Sequence, residues 1–115
     1  MYTALTLLDT TTGQAITDIA CSPVTMRPYT EEEIATYIAS GDPFDKAGAY
    51  AIQHNGFQPV ADFDHCFANV MGLPLCHAAR LLQQMGAPTP VDVPKACQRH
   101  TGYQCPVYEM IIPGK

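Results

Sequence analysis

The sequence predicts an α/β domain, a mixed β-sheet flanked by helices, and three observations lead there. Two β-prone stretches near the start flank a run of turn-forming residues. Apolar residues recur at helical spacing in two later segments. The resulting order, strand-strand-helix-loop-strand-strand-helix, is that of a layered α/β or α+β fold around one core.

Tyr2 to Leu8 and Ile16 to Met26 are the first two strands, and Asp9-Thr10-Thr11-Thr12-Gly13-Gln14 between them supplies the turn chemistry of a β-hairpin. Thr30 followed by Glu33 forms a capping-box pair, and Ile34, Tyr37 and Ile38 repeat at helical spacing before Ser40-Gly41. A helix over 31–39 follows. Glu31, Glu32 and Glu33 lie in its first turn, where the positive end of the helix dipole favours them by roughly 0.3–1 kcal/mol each. The run from Gly41 to Tyr50 reads as an ordered loop, because Pro43 restricts Asp42 and two glycines punctuate it. Tyr50 to Gln53 and Gln58 to Phe63 are expected as short strands joined at His54-Asn55-Gly56, whose Asn-Gly pair suits a tight turn. From Val70 to Met85 the spacing of Leu73, Leu75, Ala78, Leu81, Leu82 and Met85 predicts a second amphipathic helix ended by Gly86. Prolines at 88, 90, 94, 106 and 113 then break up the chain, so residues 87–115 read as an extension of the 1–86 domain. Within it Val107 to Ile112 is expected as one edge strand.

A length of 115 residues fits one small domain, and 47% hydrophobic against 15% charged residues excludes intrinsic disorder. Eleven acids against six bases, net −5, argue against broad attraction to nucleic acid polymers or anionic membranes, while a local phosphate site remains open. The opening residues lack a basic region before a short apolar stretch that meets Asp9, so no secretory signal is read and the cytoplasm is the expected compartment. Five scattered cysteines, an odd number, are expected as reduced thiols. Cys97, His100 and Cys105 are three soft ligands that reach one zinc ion if Cys66, Cys76 or His77 supplies a fourth, but zinc sites normally show two paired ligand clusters. Only one such cluster is present here, and the simpler reading is buried or surface thiols beside a solvated histidine.

The densest polar cluster is Asp42, Asp45, Lys46 and Gln53, around Gly48 and Tyr50 in the irregular loop. Lysine meets phosphate oxygens as a point charge, and small residues let backbone N–H groups approach the same anion. A neighbouring carboxylate suits Mg²⁺, a hard ion that prefers oxygen ligands. The competing explanation is a surface Asp-Lys pair, and neither Walker-type nor Rossmann-type glycine spacing is present. The Gln53 amide donates and accepts at once, which suits either a nucleobase edge or a tie between loops. Asn69 is placed as the N-cap of the 70–85 helix. Cys66 and Cys76, next to His65 and His77, raise a cysteine nucleophile, which adjacency in sequence alone does not establish.

Asp45-Lys46-Ala47-Gly48-Ala49-Tyr50-Ala51-Ile52-Gln53 resembles the signature of the Maf family of nucleoside triphosphate pyrophosphatases. Val24-Thr25-Met26-Arg27, the Glu33 to Ile38 helix, Ser40-Gly41-Asp42-Pro43 and Asn69-Val70-Met71-Gly72-Leu73-Pro74-Leu75 resemble it in the same order, covering about Thr3 to Gly86. The resemblance implies a Maf/ITPase-like fold truncated to its C-terminal half. It implies hydrolysis of a nucleoside triphosphate between the α and β phosphates, with Mg²⁺ or Mn²⁺, to the monophosphate and pyrophosphate. On this mapping Lys46 and Asp45 are the catalytic candidates, Lys46 contacting the phosphates and Asp45 supporting the loop or the metal shell. Gln53, Lys46 and Gly48 bind substrate, with Gln53 at the base-selecting position, and no residue is assigned as a metal ligand. Glutamine there resembles the branch acting on dTTP and UTP, since a neutral amide pairs with the imide face of uracil or thymine. The family's Ser-Pro-Arg-Arg loop, its metal-binding Glu and its Asp-Thr pair belong to an N-terminal half with no counterpart in these residues. His54 and His65 replace family glycines, where positive φ is available. Two partners follow as expectations: a separate N-terminal half or a second copy of the chain. The alternative is an inactive nucleotide-binding or protein-interaction module.

Overall fold

The N-terminal hairpin forms as expected. In the computed structural model, which describes residues 1–52 and 59–112, β1 (Tyr2–Leu8) pairs antiparallel with β2 (Ala15–Cys21), Leu5 opposite Asp18 and Leu7 opposite Ile16. Alternation puts Thr3, Leu5 and Leu7 with Ile16, Asp18 and Ala20 on the sheltered face, and Thr6 and Thr17 join hydroxyls at 2.8 Å on the other. The turn is held by Asp9, whose Oδ1 accepts from the Thr11 amide at 2.9 Å, and by Gly13 at φ +77°. The second strand is shorter than expected. Pro23 has no N–H for the ladder, so β2 stops at Cys21 and Thr25–Met26 forms a separate β3.

The chain divides into two compact units, Met1–Pro23 with Asp64–Lys115, and Val24–Phe63. In the second, β3 pairs antiparallel with β4 (Val60–Ala61). The strands described are therefore two antiparallel pairs within an α/β composition, not one mixed sheet. Residues 50–52 are not a strand, and the expected turn at 54–56 lies outside the described residues. Helix α1 (Glu31–Ala39) carries the full capping box: the Glu33 amide donates to Thr30 Oγ1 at 3.1 Å and the Thr30 amide to Glu33 Oε1 at 3.2 Å. Glu33 Oε2 also accepts from Arg27 at 2.8 Å, and that guanidinium lies over the Tyr29 ring.

In the first unit the expected 70–85 helix is two helices, α2 (Phe67–Met71) and α3 (Leu75–Gln84). Gly72 at φ +139° and Pro74 separate them, because a proline inside a helix removes a hydrogen bond and clashes with the preceding turn. The buried face of α3 is Cys76, His77, Ala79 and Leu81, while Leu73 and Leu75 are exposed. Arg80 of α3 donates to Asp18 through both Nε and Nη2, so the one carboxylate on the sheltered face of the hairpin is paired.

The extension contributes to this core. α4 (Val93–Thr101) tolerates Pro94 in its first turn, where the missing N–H has no helical partner, and Asp92 caps it through Oδ1 to the Lys95 amide at 3.2 Å. Residues 107–112 are not the expected edge strand: Tyr108–Ile111 is a short helix, α5. That turn carries Ile111 and Ile112 onto Cys76 and Ala79, and burial of two isoleucines outweighs their β-propensity. Arg80 Nη1 donates to the Ile111 carbonyl at 3.2 Å.

Candidate functional site

Lys46 and Asp45 come together at the end of a 3₁₀ turn, Asp42–Asp45, entered through Gly41 at φ +79°. The turn follows α1 because Ser40 closes that helix: its Oγ donates to the Tyr37 carbonyl at 2.5 Å and accepts from the Asp42 amide at 3.2 Å. Lys46 Nζ donates to Asp42 Oδ1 at 3.1 Å, to the Asp42 carbonyl at 2.9 Å and to Asp45 Oδ1 at 3.0 Å. Hydrogen bonds to Asp45 first, and then to Asp42, hold the Lys46 ammonium above the ordinary lysine value. The residue is a fixed positive charge in the neutral range.

The other Asp42 oxygen, Oδ2, accepts from the Tyr37 hydroxyl at 2.6 Å. Burial and then the bond to Asp42 raise the phenol above its usual value, so it stays protonated and donates. Tyr37 has no signature in the sequence. Its spacing fits the apolar stripe of α1, and only the turn after the helix reveals its polar end as a support for Asp42.

The rest of the expected site is not gathered by the described residues. Gly48 is exposed and adopts no left-handed backbone; a Cβ there would meet only the Tyr50 ring at 3.5 Å. The positive φ of this loop falls on Ala49, at 63°. Gln53 lies outside the described residues. Asn69 is not an N-cap but sits inside α2, fully buried, and its Nδ2 donates to Ser22 Oγ at 3.0 Å. Cys66 is the cap, its sulfur accepting from the Asn69 amide at 3.4 Å.

Cys97, His100 and Cys105 are not gathered into one ligand set. Cys66, Cys76, Cys97 and Cys105 line one narrow cavity, whereas His100 is exposed. Burial pushes the Cys66 and Cys97 thiols up and Cys76 to about 12, which disfavours their thiolate forms. Among the described residues no three His, Cys, Asp or Glu side chains are placed to hold a metal ion. With both carboxylates of the loop engaged by Lys46, these residues alone do not fit Mg²⁺ or Mn²⁺. An open groove of about 500 Å³, lined by Met71, Leu73, Leu75, Val91, Val93 and Cys97 among others, is apolar and is lined by none of Asp45, Lys46 and Gly48.

A family model described as Maf-like protein matches residues 1–85. A dTTP/UTP pyrophosphatase of Dehalococcoides mccartyi is 46% identical over 86 residues, 75% of this chain and 38% of that protein. Enzymes of the same name from Syntrophotalea carbinolica and Thermomicrobium roseum are 44% and 47% identical over 81 and 88 residues, covering 37% and 38% of their own lengths. The chain spans well under half the length of these curated relatives.

Proposed function

The chain belongs to the Maf-like family, and on that premise we propose that it is the C-terminal half of a nucleoside triphosphate pyrophosphatase acting on dTTP- and UTP-type nucleotides. The observation that carries this reading is a permanently charged Lys46 on the loop of the family signature, held by Asp42 and Asp45 at hydrogen-bond distance. Cleavage between the α and β phosphates spreads negative charge over the phosphoryl oxygens, and catalysis is mostly positioning and cationic stabilisation of that charge. Lys46 supplies one cation, Asp45 shapes the loop around it, and Gln53 reads the imide face of the base while Gly48 keeps the approach open. A divalent ion, Mg²⁺ or Mn²⁺, takes its ligands outside the described residues.

A second reading, a module that binds nucleotide or protein without hydrolysis, is favoured by one fact: all three donors of the Lys46 ammonium are already taken. Incubation of the purified chain with dTTP or UTP and Mg²⁺ or Mn²⁺, with pyrophosphate measured, separates the two. The enzyme reading expects release that disappears in Lys46→Ala. Nucleotide binding without release supports the module, and release that survives Lys46→Ala removes Lys46 from the mechanism.

A further inference from the structure

The two carboxylates on Lys46 are not equivalent. Asp42 is fixed from several sides: Oδ2 accepts from the Tyr37 hydroxyl, its amide donates to Ser40, its carbonyl also accepts from Lys46, and its side chain is only 30% exposed. Tyr37 itself is 8% exposed, seated in a capped helix. Asp45 is 83% exposed, and its carboxylate meets only the Lys46 ammonium among the described residues. An ammonium has three donors, and here all three are used, so an incoming phosphate oxygen gains one only when a present acceptor leaves. The acceptor with the fewest ties leaves most easily, because an exposed ion pair is weak and its carboxylate regains water on release.

We infer that Asp45 is an exchangeable cover on Lys46, displaced by a phosphate oxygen of the substrate, and that Tyr37, acting through Asp42, is the positioning residue that keeps the ammonium in place during the exchange. This rests on the reading that Lys46 meets phosphate. It deepens that reading by making Asp45 a competitor of the anion, and it accounts for a phosphate-binding lysine that stands between two acids.

The probe is inorganic triphosphate, titrated calorimetrically into the full chain at low salt with EDTA present. Asp45→Asn and Asp42→Asn remove the same unit charge, so net charge alone moves both in one direction. The inference expects opposite signs: Asp45→Asn binds about two- to fivefold tighter than the parent chain, and Asp42→Asn binds weaker by a similar factor. Tyr37→Phe keeps the ring and weakens binding, but adds nothing in the Asp42→Asn background, where a purely structural role of the phenol would still show. Asp45 is a surface residue, so its variant keeps the fold, and circular dichroism of each variant checks this. Equal gains in Asp42→Asn and Asp45→Asn, or no gain in Asp45→Asn while Lys46→Ala abolishes binding, overturn the cover and leave the phosphate role of Lys46 standing. A folded chain in which neither the parent nor Asp45→Asn binds triphosphate overturns both.

Discussion

Single ionisable residues set the acid limit of this protein. Burial raises the Asp18 carboxyl, but the hydrogen bond from Arg80 and the Ile19 amide outweigh it and leave Asp18 below its ordinary value of 3.8. A depressed carboxyl contributes stability that is complete above 3.8 and is lost as pH falls through the folded value. His77 is displaced downward from 6.5 by burial, and its Nδ1 has no hydrogen-bond partner among the described residues. The unfolded imidazole takes a proton near 6.5 while the folded one resists, so this contribution is complete above 6.5 and declines as pH drops below it. Urea unfolding from pH 7.5 downward is therefore expected to show stability falling first below pH 6.5 and again below pH 4, with His77→Gln flattening the first step only. Arg80→Ala leaves Asp18 unpaired on the sheltered face and is expected to cost about 1–2 kcal/mol at neutral pH. A variant as stable as the parent refutes that role. None of these pairings is legible in the sequence, because Asp18 and Arg80 lie far apart in the chain and meet only when α3 packs on the hairpin.

Elements were legible where their information is local. The capping box of α1 lies within four residues, Thr30 to Glu33, and both of its hydrogen bonds are present. Thr30→Ala is expected to lower stability by about 0.5–2 kcal/mol, read as a shift in the denaturation midpoint without a change in slope. The hairpin turn is equally local, since Asp9 accepts from residues two positions on. The apolar spacing over 70–85 runs across Gly72 and Pro74 and predicts one continuous helix; the break follows from the backbone of those two residues, which the periodicity ignores. Residues 107–112 are the opposite case. β-branched residues suggest a strand, but no described strand is paired with them, and a single helical turn buries Ile111 and Ile112 instead.

At the scale of the whole molecule, the extension after Gly86 behaves as core material: Ile111 and Ile112 complete the cluster that Cys76 and Ala79 begin. Ile111→Ala is expected to cost about 2–4 kcal/mol. A chain ending at Gly86 is expected to melt at lower temperature and with a broader transition than the full chain, and an unchanged melting curve would contradict this role. The family was readable from sequence alone, because it resides in ordered short motifs, and so was the irregular loop after α1: Asp42-Pro43-Phe44-Asp45-Lys46 folds as a local turn that brings ammonium and carboxylates together. So was the α/β composition, through turns and caps whose partners lie within a few residues. What only the tertiary structure decided is which side chains are spent on packing and which remain at the surface. It buried Asn69, Cys66 and Cys76, used Tyr37 to brace Asp42, and drew the extension into the core. Burial and long-range pairing depend on where distant segments meet, and no local pattern along the chain encodes that.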